Sequence, residues 1–175
     1  MTRVGVTGHS DLTTMSRSLV ARTLRRELVR YRGSPLVGVS CLAPGTDQLF
    51  AAEVLDLGGR LEVVLPAPDY RERKITGSDA VLFDRLLASA GSVRFTGFER
   101  SCRPAYLAAS AAMLARVDTV LAVWDGRPAI RLGSTGDVVD AARALALPLT
   151  ILWPAGASRL STASVIPAPV PVRVS

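Results

Sequence analysis

The chain has 175 residues, 49% of them apolar, and 21 basic against 15 acidic side chains give a formal charge of +6. That length fits one domain, or one domain plus a tail, and can bury roughly two thirds of its unfolded surface without a stapling disulfide or metal. Two distant cysteines and a single histidine fall short of a metal-ligand set, and no apolar run reaches the roughly 18 residues of a membrane span.

Short apolar runs alternate with helix-length amphipathic stretches. Arg3 to Thr7 reads as a strand. The residues before it lack the regions of a signal peptide, so the expectation is a cytoplasmic protein with both cysteines, Cys41 and Cys102, as free thiols. Asp11 or Thr13 can cap a helix running to about Tyr31. Its apolar stripe is Val20, Leu24, Leu28 and Tyr31, with Arg22, Arg25, Arg26 and Arg30 turned away. Leu36 to Cys41 is a second strand, followed by a helix from about Asp47 to Leu57 that Gly58-Gly59 stops. Leu61 to Leu65 is a third strand. The charged, aperiodic stretch Asp69 to Ser78 reads as a mobile loop, and a helix from about Asp79 to Ser89 follows.

Val93 to Phe95 is a short strand, Pro104 to Ala115 an alanine-rich helix, and Thr119 to Trp124 a strand. After the loop Asp125 to Gly133 come a helix from about Thr135 to Leu145 and a last strand, Pro148 to Trp153. Residues 1–154 form one domain on this reading. The Pro/Val/Ser-rich segment 155–175 is a C-terminal tail, an edge strand or disordered from Leu160 on. Strands alternating with helices, several apolar on both faces, imply a Rossmann-like three-layer α/β/α domain with a mostly parallel sheet.

In such a sheet ligands bind beyond the carboxyl ends of the strands, where helices begin with unpaired N–H groups and a positive dipole end. Three segments place glycine and small polar residues there. The first holds Gly5, Thr7, Gly8 and His9, and is not the G-x-G-x-x-G of dinucleotide binders. The second holds Gly45, Thr46 and Asp47. Asp47 reads equally as a cap for its helix and as a carboxylate for a sugar hydroxyl. The third joins Asp125, Gly126, Arg127 and Arg131 to Gly133, Ser134, Thr135 and Gly136, with Asp137 in the first helical turn. There a carboxylate, amide and hydroxyl donors and two arginines surround one point. The plain alternative is that Thr135 caps the helix and Asp137 favours its dipole. No P-loop, G-x-S-x-G or H-E-x-x-H motif occurs, so catalysis would run on carboxylates, Asp137 and Asp125.

At these segments the chain resembles the SLOG superfamily of Rossmann-like nucleotide-binding proteins, which includes LOG-type phosphoribohydrolases and the DNA-processing protein DprA. The likeness rests on Gly5-Val6-Thr7-Gly8-His9, Leu42-Ala43-Pro44-Gly45-Thr46-Asp47-Gln48-Leu49, Val120 to Gly126, and Gly133-Ser134-Thr135-Gly136-Asp137-Val138-Val139. It spans about Arg3 to Pro154. The resemblance implies a nucleotide-type ligand with its phosphate over the Gly133 to Gly136 turn, and a homodimer. The LOG turn reads Pro-Gly-Gly-x-Gly-Thr before a glutamate; this chain lacks the leading Pro-Gly-Gly and offers Asp137. The expected function is therefore binding of a nucleotide or related phosphorylated small molecule, as a sensor or carrier, with no cofactor or metal. The alternative is an N-glycosidic hydrolase or deoxyribosyltransferase-like enzyme. Nucleic-acid binding through the arginines of the first helix ranks below both.

Overall fold

Two strands, β2 (Leu36–Ser40) and β5 (Thr119–Val123), are buried at every position, which requires helices on both faces of the sheet. The computed structural model describes residues 1–127 and 134–160. Its other strands are β1 (Thr2–Gly8), β3 (Arg60–Leu65), β4 (Ser92–Phe95) and β6 (Leu149–Leu152). The helices are α1 (Thr14–Val29), α2 (Thr46–Asp56), α3 (Tyr70–Lys74), α4 (Ser78–Ala88), α5 (Arg103–Leu114) and α6 (Thr135–Ala144).

The sheet order is β4-β3-β2-β1-β5-β6, and every pairing is parallel. On one face, Val20, Leu24 and Leu28 of α1 and Phe50 and Val54 of α2 pack on Val4, Val6, Leu121 and Val123. Phe83 and Leu86 of α4 extend that layer over Leu61, Val63 and Leu65. On the other face Met113 of α5 and Val138 and Ala142 of α6 cover Val37, Val39, Val64 and Val120. This is the three-layer α/β/α domain that the sequence implies. The chain winds outward from β1 to β4, then returns to place β5 on the other side of β1. The winding therefore reverses between β1 and β5, where Gly8 pairs with Val123.

One expectation is corrected. Residues 69–78 are not a mobile loop throughout, because α3 forms within them. Tyr70 and Ile75 are 3% and 2% exposed and reach the α4 cluster. Arg71 forks onto Asp84 at 2.8 Å. Two buried anchors five residues apart fit neither a helical nor a strand period, which is why the pattern hid them.

Thr13 takes the N-cap of α1, its hydroxyl accepting from the Ser16 N–H. Past β6 the chain turns back onto the loop between β1 and α1. The Thr13 N–H donates to the Ser158 carbonyl (3.2 Å), and the Leu160 N–H to the Asp11 carbonyl (2.7 Å). The Ser158 N–H donates to Ser16 Oγ (2.7 Å). Among the described residues, no helix is long and apolar enough to cross a membrane.

Candidate functional site at the winding reversal

The strand ends fix the geometry of the rim. Past Gly8, the His9 N–H donates to the Val123 carbonyl (3.2 Å), which prolongs the β1–β5 ladder by one residue. The His9 carbonyl accepts from the Thr46 N–H (3.3 Å) and from Thr46 Oγ (2.9 Å), tying β1 to the first turn of α2. The approach is close. A Cβ on Gly8 would lie 2.5 Å from Thr46 Cγ2, and one on Gly45 would lie 2.8–2.9 Å from the Ser10 and His9 carbonyl oxygens. Gly45 also holds φ +78°, ψ −118°, a conformation that glycine alone adopts without strain. Packing of one rim loop on another thus accounts for both glycines.

Asp47 turns into its own loop. Its carboxylate accepts from Ser40 Oγ (3.2 Å) and the Cys41 N–H (3.2 Å), and from the Ala43 N–H as well. Burial pushes its pKa up to about 6 against those hydrogen bonds. The N-cap of α2 is Gly45, with no side chain capping the helix.

At the reversal itself, His9 Nε2 lies 3.0 Å from Asp125 Oδ1 and 3.2 Å from the Asp125 backbone N; the two side chains are 8% and 7% exposed. The imidazole stands edge-on to Trp153, with ring centres 5.6 Å apart. Arg159 forks onto Asp11 (2.9 and 3.2 Å) and reaches Asp125 Oδ2 at 3.5 Å. Burial and the nearby Arg159 push the His9 pKa below its usual value, outweighing Asp125 and Asp11. Burial works to raise Asp125. The Arg127 N–H (3.1 Å), His9 and Arg159 overcome it and hold this carboxyl below the ordinary range, so it is ionised at neutral pH.

Asp125, Gly126 and Arg127 therefore sit beside Gly8, His9, Gly45 and Thr46. Gly126 carries φ +76°, and the Arg127 side chain is exposed, with Nε 4.0 Å from Asp125 Oδ2. Arg131 and Gly133 lie outside the described residues. Ser134, rather than Thr135, is the N-cap of α6. It forms a capping box in which the Asp137 N–H donates to Ser134 Oγ (3.4 Å) and the Ser134 N–H to Asp137 Oδ2 (3.0 Å). Thr135 and Gly136 are buried in the first turn of α6, where the backbone N–H groups of any helix lack an intrahelical partner. Gly5 and Thr7 stay within the β1 ladder. Gly5 lies under α5, where a Cβ would meet Met113 Sδ at 2.6 Å. Among the described residues no cluster of three metal-ligating side chains occurs.

The sequence reading did not place Asp11 or Arg159 in the site. Asp11 looked like a helix cap, and Arg159 comes from the far end of the chain, 148 residues away. No local pattern links the two.

The layers, the all-parallel sheet and the reversal at β1/β5 define a Rossmann-like three-layer fold. No family model matches the chain, and no curated protein matches it. Solved structures do. DprA from Helicobacter pylori, described for its single-stranded DNA binding mode, has a TM-score of 0.63 at 19% identity, covering 93% of this chain and 70% of that one. DprA from Streptococcus pneumoniae also gives 0.63, at 17% identity over 86% of this chain; the match spans 50% of that protein's length. The structural-genomics target TM1055 gives 0.56 at 18% identity, covering 85% of this chain and 72% of that one. The Moco carrier protein of Chlamydomonas reinhardtii gives 0.51 at 20% identity, covering 86% and 75%. The resemblance to SLOG proteins thus holds at the level of the fold.

Proposed function

We propose that the protein binds a nucleotide or related phosphorylated small molecule at the carboxyl rim of the sheet, as a sensor or carrier. One observation carries this reading: α6 begins with a formed capping box between Ser134 and Asp137, which fixes a helix start whose first-turn N–H groups have no intrahelical partner. Two amides at a helix start suit a phosphate oxygen. Arg127, beside Asp125, would add positive charge at the rim. In this reading the protein works in the cytoplasm as a homodimer, without cofactor or metal.

The N-glycosidic alternative has one point in its favour, a carboxylate, Asp125, kept ionised at a strand end. Both of its proposed catalytic carboxylates are nevertheless engaged internally, Asp137 in the capping box and Asp125 with His9 and Arg159. Nucleic-acid binding draws on the DprA neighbours, while several arginines of α1 are engaged in ion pairs. Arg17, Arg25 and Arg30 already pair with Asp79, Glu53 and Glu27 at 2.8–2.9 Å. Binding driven by phosphate contacts would also have to weaken steeply with salt.

Thermal shift with AMP, ADP, ATP, ribose 5-phosphate and unphosphorylated adenosine tests the proposal. A ligand at 100 times its Kd adds about 2.7 kcal/mol, which is roughly 5–10 °C for a domain of this size. Phosphorylated compounds should shift the transition and adenosine should not. No shift with any of them would sink the reading. Release of free base and sugar phosphate would replace the sensor with the enzyme.

A further inference from the structure

The far end of the chain supplies an arginine to the winding reversal, and its anchoring is unusually thorough. The backbone on both sides of Arg159 is pinned to the β1–α1 loop, Ser158 through Thr13 and Ser16, and Leu160 through Asp11. A single antiparallel bridge joins Leu12 to Arg159 itself. The guanidinium then spans two carboxylates from different elements, Asp11 beyond β1 and Asp125 beyond β5. Asp125 is 7% exposed. A carboxylate so buried and left uncompensated would be costly, and it would repel an anion entering at the carboxyl rim.

We propose that Arg159 is a positioning residue of the rim, a clamp that holds Asp11 and Asp125 together and compensates their charge so that a phosphate can be taken at the start of α6. This rests on the ligand reading above. The charge balance is tight. With His9 neutral, the cluster of Asp11, Asp125, His9 and Arg159 carries two negative charges against one positive. Removing the guanidinium takes away the charge that bridges the two carboxylates. His9 must then take up its proton more readily, because Arg159 opposes that proton while Asp125 and Asp11 favour it.

The chain has a single histidine, so one imidazole resonance reports on the clamp without any ligand. The experiment compares the full chain with Arg159→Gln, Arg159→Lys and Arg159→Gln/Asp125→Asn. The His9 midpoint is read by NMR titration, and binding of AMP, ADP and ribose 5-phosphate by calorimetry. Arg159→Gln should raise the His9 midpoint and weaken phosphate-compound binding about tenfold, the scale of one uncompensated charge in a partly buried site. Asp125→Asn in the same chain should restore the affinity, because the charge that needed compensation is gone. An unmoved midpoint in Arg159→Gln would overturn the clamp, and so would lost affinity that Asp125→Asn does not recover. If Arg159→Gln fails to fold, Arg159→Lys decides: an ammonium that cannot fork both carboxylates should raise the midpoint part-way, and an unchanged midpoint refutes the clamp. A wild-type chain that binds none of the three compounds defeats the ligand reading, while the midpoint still judges the clamp.

Discussion

Gly45 and Gly58 have nearly the same φ, +78° and +77°, in different surroundings. A Cβ on Gly58 would meet nothing within 4 Å, whereas one on Gly45 would lie 2.8 Å from the Ser10 carbonyl oxygen and 2.9 Å from that of His9. Alanine at Gly58 therefore costs only the left-handed conformation, about 1 kcal/mol. Alanine at Gly45 adds two terms. Its ψ of −118° lies where side-chain-bearing residues are strained by about 1–3 kcal/mol, and the obstructing atoms are backbone, so relief by overpacking costs about another 1–3 kcal/mol. At about 2–4 °C per kcal/mol, Gly58→Ala should lower the melting temperature by roughly 2–4 °C and Gly45→Ala, at about 3–7 kcal/mol in all, by roughly 6–28 °C. Calorimetry and denaturant titration of both variants measure this. The His9 NMR resonance should shift in Gly45→Ala and stay put in Gly58→Ala, because the added methyl presses on the His9 carbonyl. Equal losses in the two variants would mean that the rim loops do not approach each other as described.

Burial raises Asp47 from 3.8 to about 6, so the folded state prefers its protonated form. Its contribution is complete below about pH 4 and is lost as pH rises through 6, on the order of 3 kcal/mol in all. Stability measured between pH 4 and 7 should therefore fall in the wild type, and Asp47→Asn should lack that slope. Ser134→Ala removes the side-chain half of the α6 capping box and should cost about 1 kcal/mol in chemical denaturation; no loss would argue against the cap. Burial pushes the Cys41 thiol up, and Cys102 is exposed. A thiol reagent at pH 8 should thus label Cys102 quickly and Cys41 only on unfolding, as peptide mapping would show.

The fold was legible because its signals are local and repeated. Val37, Val39, Val63 and Val120 are apolar within short runs, and Val20, Leu24 and Leu28 recur at helical spacing. Each pattern is a direct record of which face is buried. The rim was legible in outline for a related reason: glycine beside short polar residues marks a strand end wherever backbone must pass close to something. What that something is could not be read. At Gly8 it is Thr46 at the start of α2, at Gly45 the His9–Ser10 backbone, and at Gly5 it is Met113. Tyr70 and Ile75 were missed because two anchors define no period. Arg159 was missed because its partners are fixed by the course of the whole chain, and a single arginine in a run of Ala, Ser and Pro carries no trace of that.

On the proposed reading, the disposition of the carboxylates favours holding a ligand over cleaving one. A group that stabilises an oxocarbenium-like centre must face the anomeric carbon, and one that donates a proton must reach the leaving base. Asp137 closes the first turn of α6 upon Ser134, and Asp125 is shared among His9, Arg159 and the Arg127 N–H. Using either in catalysis would first break contacts that order the rim. Binding an anion at the start of α6 would need no such rearrangement, since the capping box that engages Asp137 also fixes that helix start. On the proposed reading, the capping box that engages Asp137 is also what would prepare the start of α6 for an anion.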